Sequence, residues 1–351
     1  MLTHPRNGTL EPQVLALGDV NVDVIAHFAQ FPDHGKDALA DSSETHFGGS
    51  AANTAVALSR MGIASGLVAR LGCDLWAERA ERYLRTEGVD LTSIQRDPTV
   101  MTGLMYIIVT PDSERTILGF RGANARTDAA QIDEEQVRSA RLFHRSGYSL
   151  LTEPARSAAL RAFERASRIG LTTTVDPGTT VPRKALDQVR ILLPRTHILL
   201  PNLAEAKQLT GCSAPEDCAR ALLRGGVQAV AVKLGQEGCL IGDNERLVQV
   251  PPFPVLARDS TGAGDSFAAG LIVGYLGGLS WQSAGVLGNA LGARAASRVG
   301  GGAAGLHARE ILALLREQRR TSTYSAPAEA IEPAIRLLES LAERTEEETL
   351  S

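Results

Sequence analysis

The 351-residue chain has few aromatic residues and few cysteines, and it lacks any long apolar run. None of its apolar runs is long enough to span a membrane, and the first residues lack the apolar segment of a secretory signal. The four cysteines are Cys73, Cys212, Cys218 and Cys239. No Cys-x-x-Cys spacing occurs among them, which excludes the usual zinc and disulfide patterns. Reduced thiols of this kind predict a cytoplasmic protein.

No excess of one charge sign is present, because 36 Lys and Arg stand against 40 Asp and Glu in an interspersed pattern. We therefore expect neither a nucleic-acid partner nor a membrane surface. The Walker A pattern and the Gly-x-Ser-x-Gly elbow of serine hydrolases are also missing. One Gly-x-Gly-x-x-Gly match, 300–305, follows a predicted helix rather than a strand, so we do not interpret it as a dinucleotide site.

Short apolar segments and helical patterns alternate after a leader of residues 1–12. This alternation predicts an α/β fold in which a mostly parallel sheet is sandwiched between helices. The predicted strands are 13–17, 65–71, 142–146, 171–175, 197–200 and 227–234, and the predicted helices include 51–61, 75–87, 154–169 and 203–209.

Two segments, 22–47 and 99–120, interrupt the alternation. The second segment predicts a β-hairpin with strands at 104–109 and 115–118, so we place both segments in a small β-sheet lid. The main domain is expected to cover residues 13–318, followed by a linker and a C-terminal helix in 319–351. That helix has one apolar face, which must pack against the rest of the protein: Ile331, Ile335 and Leu338.

The most informative motif is the segment 259–265, which leads into an apolar helix. The first N–H groups of a helix are unpaired and electropositive, so they can hold an anion such as phosphate. Gly262 and Gly264 allow the backbone to approach such a group closely. An acid at this place, Asp265, suits a base that takes a proton from an attacking hydroxyl. The alternative is an ordinary turn with Asp265 as a helix cap.

Two further groups lie near the N-terminus. Gly48, Gly49 and Asn53 precede a helix of small residues and fit either a ligand-contacting loop or a simple capped turn. Asn21 and Asp23 follow the first strand, at the edge where open α/β sheets bind ligands. An acid next to an amide suits a polyol, although surface loops carry the same residues.

Two groups follow later strands. Asn202 and Glu205 share one helical face and carry oxygen atoms suitable for Mg²⁺, but a helix-capping pair has the same spacing. Lys233, Gly235 and Gly238 end a strand at a turn. This turn fits a nucleotide site or an ordinary hairpin.

Taken in order, these motifs resemble the ribokinase-like (PfkB) family of carbohydrate and nucleoside kinases. The matching segments are 48–53, 121–124, 202–205, 233–235 and 259–265. The resemblance implies an α/β domain with a β-sheet lid, and transfer of the γ-phosphoryl group of ATP to a substrate hydroxyl.

The resemblance also implies roles for individual residues. Asp265 is the general base, and the amides of Gly262, Ala263 and Gly264 form the anion hole. The implied substrate-binding residues are Asn21, Asp23, Gly48, Gly49, Asn53 and Asn124, and the implied nucleotide-binding residues are Lys233, Gly235, Gly238 and Asn289. The implied metal-binding residues are Asn202 and Glu205 for Mg²⁺ through water, with Asp259, Thr261 and the 296–302 region for K⁺. Ser260, where threonine is usual, and the glycine run 300–302 depart from the family pattern.

We therefore expect a cytoplasmic, ATP-dependent sugar kinase acting on a ribose- or fructose-like substrate. A nucleoside kinase is the alternative enzyme, since several aromatic residues lie in or beside the lid segments: Phe28, Phe31, Phe47 and Phe120. A sugar sensor without turnover is the alternative outside enzymes. A small lid sheet exposes an apolar face and edges, which predicts a homodimer formed through the lid.

Overall fold

The computed structural model describes residues 12–112, 115–179, 181–298, 306–320 and 328–350. The predicted leader, the linker after residue 320 and the glycine run 300–302 therefore lie almost wholly outside the described residues, as does the 300–305 match. Among the helices in the described ranges, none is both long and apolar enough to cross a membrane.

The strands form two sheets. In chain order they are β1 (Val14–Leu17), β2 (Asn21–His27), β3 (Ser42–Gly48), β4 (Ser65–Gly72), β5 (Ile94–Asp97), β6 (Gly103–Val109), β7 (Arg115–Phe120), β8 (Leu142–Ser146), β9 (Thr172–Asp176), β10 (Ile198–Leu199), β11 (Ala229–Lys233), β12 (Cys239–Asp243) and β13 (Leu247–Val250). The main sheet has nine strands in the order β13-β12-β11-β10-β9-β8-β1-β4-β5, and the small sheet has the order β3-β2-β6-β7.

The helices cover both faces of the main sheet. In chain order they are α1 (Ser50–Arg60), α2 (Leu75–Thr86), α3 (Glu134–Ser139), α4 (Ala155–Arg168), α5 (Val181–Lys184), α6 (Leu186–Leu192), α7 (Leu203–Thr210), α8 (Pro215–Arg224), α9 (Ala263–Leu276), α10 (Trp281–Ala296), α11 (Ala308–Arg320) and α12 (Ala328–Leu350). One layer contains α1, α2 and α9 to α12, and the other contains α3 to α8.

The central strand β1 is apolar at every position, and both of its faces are buried. In β1, Val14 and Ala16 join the core under α1 and α9, whereas Leu15 and Leu17 join the opposite core. All neighbouring strands from β11 across to β5 run parallel. The α/β fold with a mostly parallel sheet between helices is therefore confirmed.

Some elements were not predicted from the sequence. The edge strand β5 is short and carries polar residues, and β12 and β13 add an antiparallel end to the parallel sheet. The predicted turn at 235–238 is the connection that reverses the chain from β11 to β12. A second hairpin connects β12 to β13.

The small sheet, called the lid below, consists of β2, β3, β6 and β7. Its hairpin β6–β7 was predicted, and β2 joins it in parallel while β3 pairs antiparallel with β2. Asn21 and Asp23, predicted to follow the first strand, are the first and third residues of lid strand β2. They still lie close to the carboxyl edge of the main sheet because β1 ends at Leu17.

The carboxyl edge of the main sheet brings several polar residues together. β8 ends at Ser146, β9 at Asp176 and β11 at Lys233, while Asn202 follows β10. Ligands of open α/β sheets bind at this edge, so the sheet topology selects the place of the candidate site.

Candidate active site

Helix α9 begins at this edge without a side-chain cap. The N-cap residue of α9, Gly262, has φ 74°, a left-handed conformation that glycine adopts at little cost. The Ala263 N–H donates to the Ser260 carbonyl at 3.2 Å, so this amide of the predicted anion hole is used within the turn. The amide of Gly264 belongs to the first turn of α9, where N–H groups have no acceptor inside the helix.

Asp265, also in the first turn of α9, is partly buried and held by helix α1. Ser50 Oγ donates to its Oδ1 at 2.7 Å, and Asn53 Nδ2 donates to its Oδ2 at 2.9 Å. Burial and the charge of Asp176 raise the pKa of Asp265 to about 6, while these two hydrogen bonds and the charge of Lys233 limit the rise. The carboxylate is therefore the ionised form at neutral pH, as a general base must be.

Asp23 of the lid faces the same place. Burial raises its pKa to about 7, with a lowering contribution from His46 and a raising one from Asp265. A Cβ atom on Gly48 would lie 2.4 Å from Asp23 Oδ2 and 3.7 Å from Asn53 Oδ1. The lid thus places a second carboxyl group next to the first, with a glycine leaving room between strand and helix.

The short segment that connects β1 of the main sheet to β2 of the lid is held by a network of buried polar groups. Asn124 donates to the Val20 carbonyl and to Asn21 Oδ1, both at 2.9 Å, and its own Oδ1 accepts from the Val20 N–H. Arg121 forms a two-pronged ion pair with Asp19 at 2.9 and 2.7 Å. The amide of Asn124, predicted to bind substrate, therefore positions Asn21 in this structure.

Gly49 lies at the end of the same crossing, with φ 105°. A Cβ atom there would lie 2.1 Å from the Asp19 carbonyl oxygen, so only glycine fits. The structure thus brings all six predicted substrate-binding residues into one region beside Asp265.

Asn202 and Glu205 form the capping pair that was the alternative to a Mg²⁺ site. The Glu205 N–H donates to Asn202 Oδ1 at 2.8 Å, and Glu205 Oε2 accepts from the Asn202 N–H at 2.8 Å. Glu205 Oε1 accepts from Asn202 Nδ2 at 2.7 Å. Burial, together with the charge of Asp176, raises the pKa of Glu205 above its usual range against the lowering effect of Lys233.

Lys233 ends β11 with its ammonium group buried between strand ends. Its Nζ lies 2.6 Å from Asp176 Oδ2. Burial disfavours the ammonium form, but the charges of Asp176 and Glu205 outweigh it and raise the pKa of Lys233. This lysine, predicted beside the nucleotide, therefore lies inside the acidic cluster at the start of α9.

The other predicted nucleotide-binding residues lie along β11 to β13 and α10. Gly235 and Gly238 form the turn between β11 and β12. Asn289 Nδ2 donates to the carbonyl oxygens of Val250 and Pro251 at 3.1 and 2.9 Å, so it ties α10 to the end of β13. Within the described residues, none of these three residues forms a hydrogen bond with the Asp265 carboxylate.

Asp259 and Thr261, predicted for K⁺, contact a cation of the protein itself. The guanidinium group of Arg115, at the start of lid strand β7, contacts the Asp259 carboxylate and the Thr261 hydroxyl, and it donates to Ser260 Oγ at 3.0 Å. The loop before the anion hole is thus held to the lid.

Sequence reasoning missed three residues of this region. Ser50 belongs to the motif 48–53 and precedes Asn53 by one helical turn, a spacing that gives them a common face. Asp176 directly follows a buried strand segment, which places it at the carboxyl edge. Arg115 carries no comparable signal, because its contact depends on how the lid folds over the loop.

Comparisons with known proteins agree with this arrangement. A family model described as pfkB family carbohydrate kinase matches residues 11–309. Fructokinase-2 of Solanum lycopersicum is 30% identical over 233 residues, which cover 64% of this chain and 71% of the relative. The ATP-dependent ribose-1-phosphate kinase of Halopiger xanaduensis is 30% identical over 292 residues, covering 82% of this chain and 93% of the relative.

The fold is shared with solved structures as well. The crystal structure of the PfkB protein from Polaromonas sp. JS666 matches with a TM-score of 0.74 and 27% identity, over 86% of this chain and 99% of that chain. The family model covers both the main sheet and the lid, including every predicted site residue. The chain belongs to the pfkB family of carbohydrate kinases and is an ATP-dependent carbohydrate kinase.

Proposed function

We propose that the protein transfers the γ-phosphoryl group of ATP to a hydroxyl of a ribose- or fructose-like sugar, with Asp265 as the general base. The observation that carries this proposal is the placement of Asp265. Its carboxylate lies in the first turn of α9, is oriented by Ser50 and Asn53, and faces Asp23 of the lid.

The reaction balances with the groups at this site. The sugar hydroxyl gives its proton to the Asp265 carboxylate while its oxygen forms a bond to the γ-phosphorus. The bond between that phosphorus and the bridging oxygen of ADP breaks, and ADP leaves. A positioned base contributes about 10²–10⁴-fold to such a step, and each donor of an anion hole about 10²–10³-fold.

The lid supports a sugar rather than a nucleoside as the substrate. Residues paired across a sheet share a face, and the contacts of Asp23 and Arg115 identify the inner face. That face consists of Asn21, Asp23, Ile25, His27, Ser42, Glu44, His46, Gly48, Gly103, Met105, Ile107, Val109, Arg115, Ile117 and Gly119.

No Phe, Tyr or Trp is present on this inner face of the four lid strands, all of which the structure describes. Phe47 and Phe120, which kept a nucleoside kinase open as an alternative, point to the outer face, and Phe47 stacks on Tyr83. Phe31, beyond the end of β2, is 52% exposed. A purine base thus lacks an aromatic partner on the lid strands, whereas Asp23 and Asn21 suit hydroxyl groups.

The carboxyl edge of the main sheet, where Asp176 and Glu205 lie, fits a Mg²⁺ ion that is held through its own water molecules. Both carboxylate oxygens of Glu205 already accept hydrogen bonds, and no group of three or more His, Cys, Asp or Glu suited to a metal occurs among the described residues. Asn202 and Glu205 would hold such a hydrated ion through its water ligands. When bound, Mg²⁺ neutralises charge on the phosphate groups.

The side chains of Asp259 and Thr261 do not fit a K⁺ site. The Asp259 carboxylate and the Thr261 hydroxyl face the Arg115 guanidinium, whose positive charge opposes a second cation. The 299–305 segment, which includes most of the late loop implied by the resemblance, lies outside the described residues.

A substrate panel tests the proposal. Wild-type protein is supplied with ATP, Mg²⁺ and, separately, fructose, ribose, ribose 1-phosphate and adenosine, and ADP release is measured with a coupled assay. We expect release with a sugar. Release with adenosine alone would refute the sugar assignment, and sugar binding without release would make the protein a sensor.

The variant Asp265→Asn tests the base. We expect kcat to fall by about 10²–10⁴-fold, because the amide cannot accept the proton, while ATP binding measured by calorimetry stays within about threefold. Asp243→Asn, at the far end of β12, is the matched control and should keep its activity. Near-normal turnover by Asp265→Asn would exclude Asp265 as the base.

A further inference from the structure

Lys233 lies closer to the anion-binding helix start than a nucleotide-base contact would need. Its side chain is 14% exposed and its Nζ is 2.6 Å from Asp176 Oδ2. A Cβ atom built on Gly264 would lie 3.3 Å from the same Nζ. The ammonium group therefore sits against the second residue of α9, next to the residue that carries the proposed base.

The charges around Lys233 are mainly negative. Asp176, Glu205 and Asp265 all act on its ammonium group electrostatically. A polyphosphate arriving at this edge brings further negative charge, which three carboxyl groups oppose. A lysine whose proton is held by these neighbours supplies a fixed positive charge at the place where that repulsion is greatest.

We propose that Lys233 is a catalytic residue that contacts the transferred phosphoryl group, and that Asp176 is the positioning residue that holds its ammonium group beside Gly264. This inference rests on the proposed kinase reaction. An ammonium group has three N–H donors and Asp176 takes one of them, so further donors can meet phosphoryl oxygens. No bond of Lys233 forms or breaks, because its charge acts on the oxygens of the phosphorus centre throughout.

A role in folding alone is the competing explanation. Asp176 and Lys233 end β9 and β11, which lie on either side of β10, so their ion pair also ties strand ends together. A folding role predicts lower stability with unchanged discrimination among nucleotides. A catalytic role predicts that the loss concerns the third phosphate.

Nucleotide binding separates the two explanations without any turnover. Calorimetry with Mg²⁺ compares ADP and a non-hydrolysable ATP analogue on wild type and on Lys233→Met. We expect the variant to lose about 10–100-fold in affinity for the analogue, the range of a hydrogen bond to a charged group, and less than about threefold for ADP. Equal losses for both nucleotides would overturn the proposal.

Turnover gives the second readout. We expect kcat of Lys233→Met to fall by about 10²–10³-fold with the sugar KM within about threefold. Lys207→Met removes the same charge from an exposed position on α7 and should match wild type. A kcat within about threefold of wild type would also overturn the proposal.

Removing Lys233 alone leaves the buried Asp176 carboxylate without its partner, so the single variant can fail to fold. The double variant Lys233→Met with Asp176→Asn removes both charges and repeats both measurements, with thermal melts as the check of folding. A double variant that fails to fold would assign the pair a structural role and overturn the proposal. If wild type transfers phosphate to no sugar, the proposed function fails, and the comparison of the two nucleotides still decides the role of Lys233.

Discussion

The carboxyl group of Asp265 is subject to two opposing influences. Burial and the nearby charge of Asp176 favour the protonated form, whereas the hydrogen bonds from Ser50 and Asn53 and the charge of Lys233 favour the carboxylate. The resulting pKa of about 6 keeps the group ionised at neutral pH while leaving it more basic than an exposed aspartate. Helix α1 therefore controls the strength of the proposed base on α9.

Removing one of these hydrogen bonds should change the pH dependence of turnover. A base works only when deprotonated, so kcat/KM of wild type should fall as the pH drops through about 6. In Ser50→Ala the carboxylate loses a donor, its pKa rises, and the acid limb should move to higher pH. Profiles of sugar phosphorylation check this shift.

Ser59→Ala, near the end of the same helix, is the matched control and should leave the acid limb in place. An acid limb that stays unchanged in Ser50→Ala would show that Ser50 does not tune the proposed base.

The sequence predicted Asp265 and the glycines before it because their signals are local: turn residues, then an acid, then an apolar helix. The partners of Asp265 could not be predicted in the same way. Ser50 and Asn53 lie more than 200 residues away in the chain, and only the packing of α1 against α9 brings them into contact. For Asn202 and Glu205 the local spacing fitted two structures equally well, and the structure shows the capping pair.

The Arg115 side chain joins the lid to the loop before the predicted anion hole. Arg115 begins β7 and contacts the loop that holds Asp259 and Thr261. The hairpin β6–β7 was predictable from its alternating pattern and turn, but the parallel pairing of β2 with β6 was not, since it joins distant segments. The contact of Arg115 follows from that pairing.

Arg115 should determine how the protein responds to monovalent cations. We expect wild-type turnover to be alike in potassium and tetramethylammonium salts, because the guanidinium already neutralises Asp259. In Arg115→Met the carboxylate loses this partner, so turnover should fall and should be partly restored by K⁺ but not by tetramethylammonium.

Lys36→Met, which removes an exposed lysine between β2 and β3, serves as the control for a change of lid charge. Activation of wild type by K⁺ greater than about threefold would contradict this account of the Arg115 contact.

Helix α12 completes the core of the helical layer that contains α10 and α11. Ile331, Ile335 and Leu338, predicted to form one apolar face, are buried against the layer formed by α10 and α11. The sequence identified this face by its spacing, but it could not identify the surface that the face covers, because that surface exists only in the folded protein. The C-terminal segment is thus part of the folded unit.

Truncating this face should destabilise the protein. We expect Ile335→Ala to lower the free energy of unfolding by about 2–5 kcal/mol, the range for removing a buried branched side chain. Arg336→Ala, at an exposed neighbouring position, should change it by less than about 0.5 kcal/mol. Denaturant titrations measure both, and equal effects of the two substitutions would mean that α12 contributes little to the core.

The outer face of the lid exposes large apolar side chains next to one another. Tyr106 and Leu118 are directly paired across β6 and β7, with exposed fractions of 49% and 54%, and Phe120 on the same face is 48% exposed. β3 and β7 also leave sheet edges unpaired within the described residues. An apolar face with open edges favours association, which supports the predicted homodimer through the lid.

Light scattering tests this pairing at micromolar concentration. We expect wild type to have the mass of a dimer and Leu118→Asp that of a monomer, because a buried unpaired carboxylate at the interface is costly. Leu39→Asp, in the exposed loop between β2 and β3, introduces the same charge outside the lid strands and should remain dimeric. Because Leu118 points away from Asp23 and Arg115, the monomeric Leu118→Asp variant should still bind sugar. A wild-type protein with the mass of a monomer would rule the dimer out.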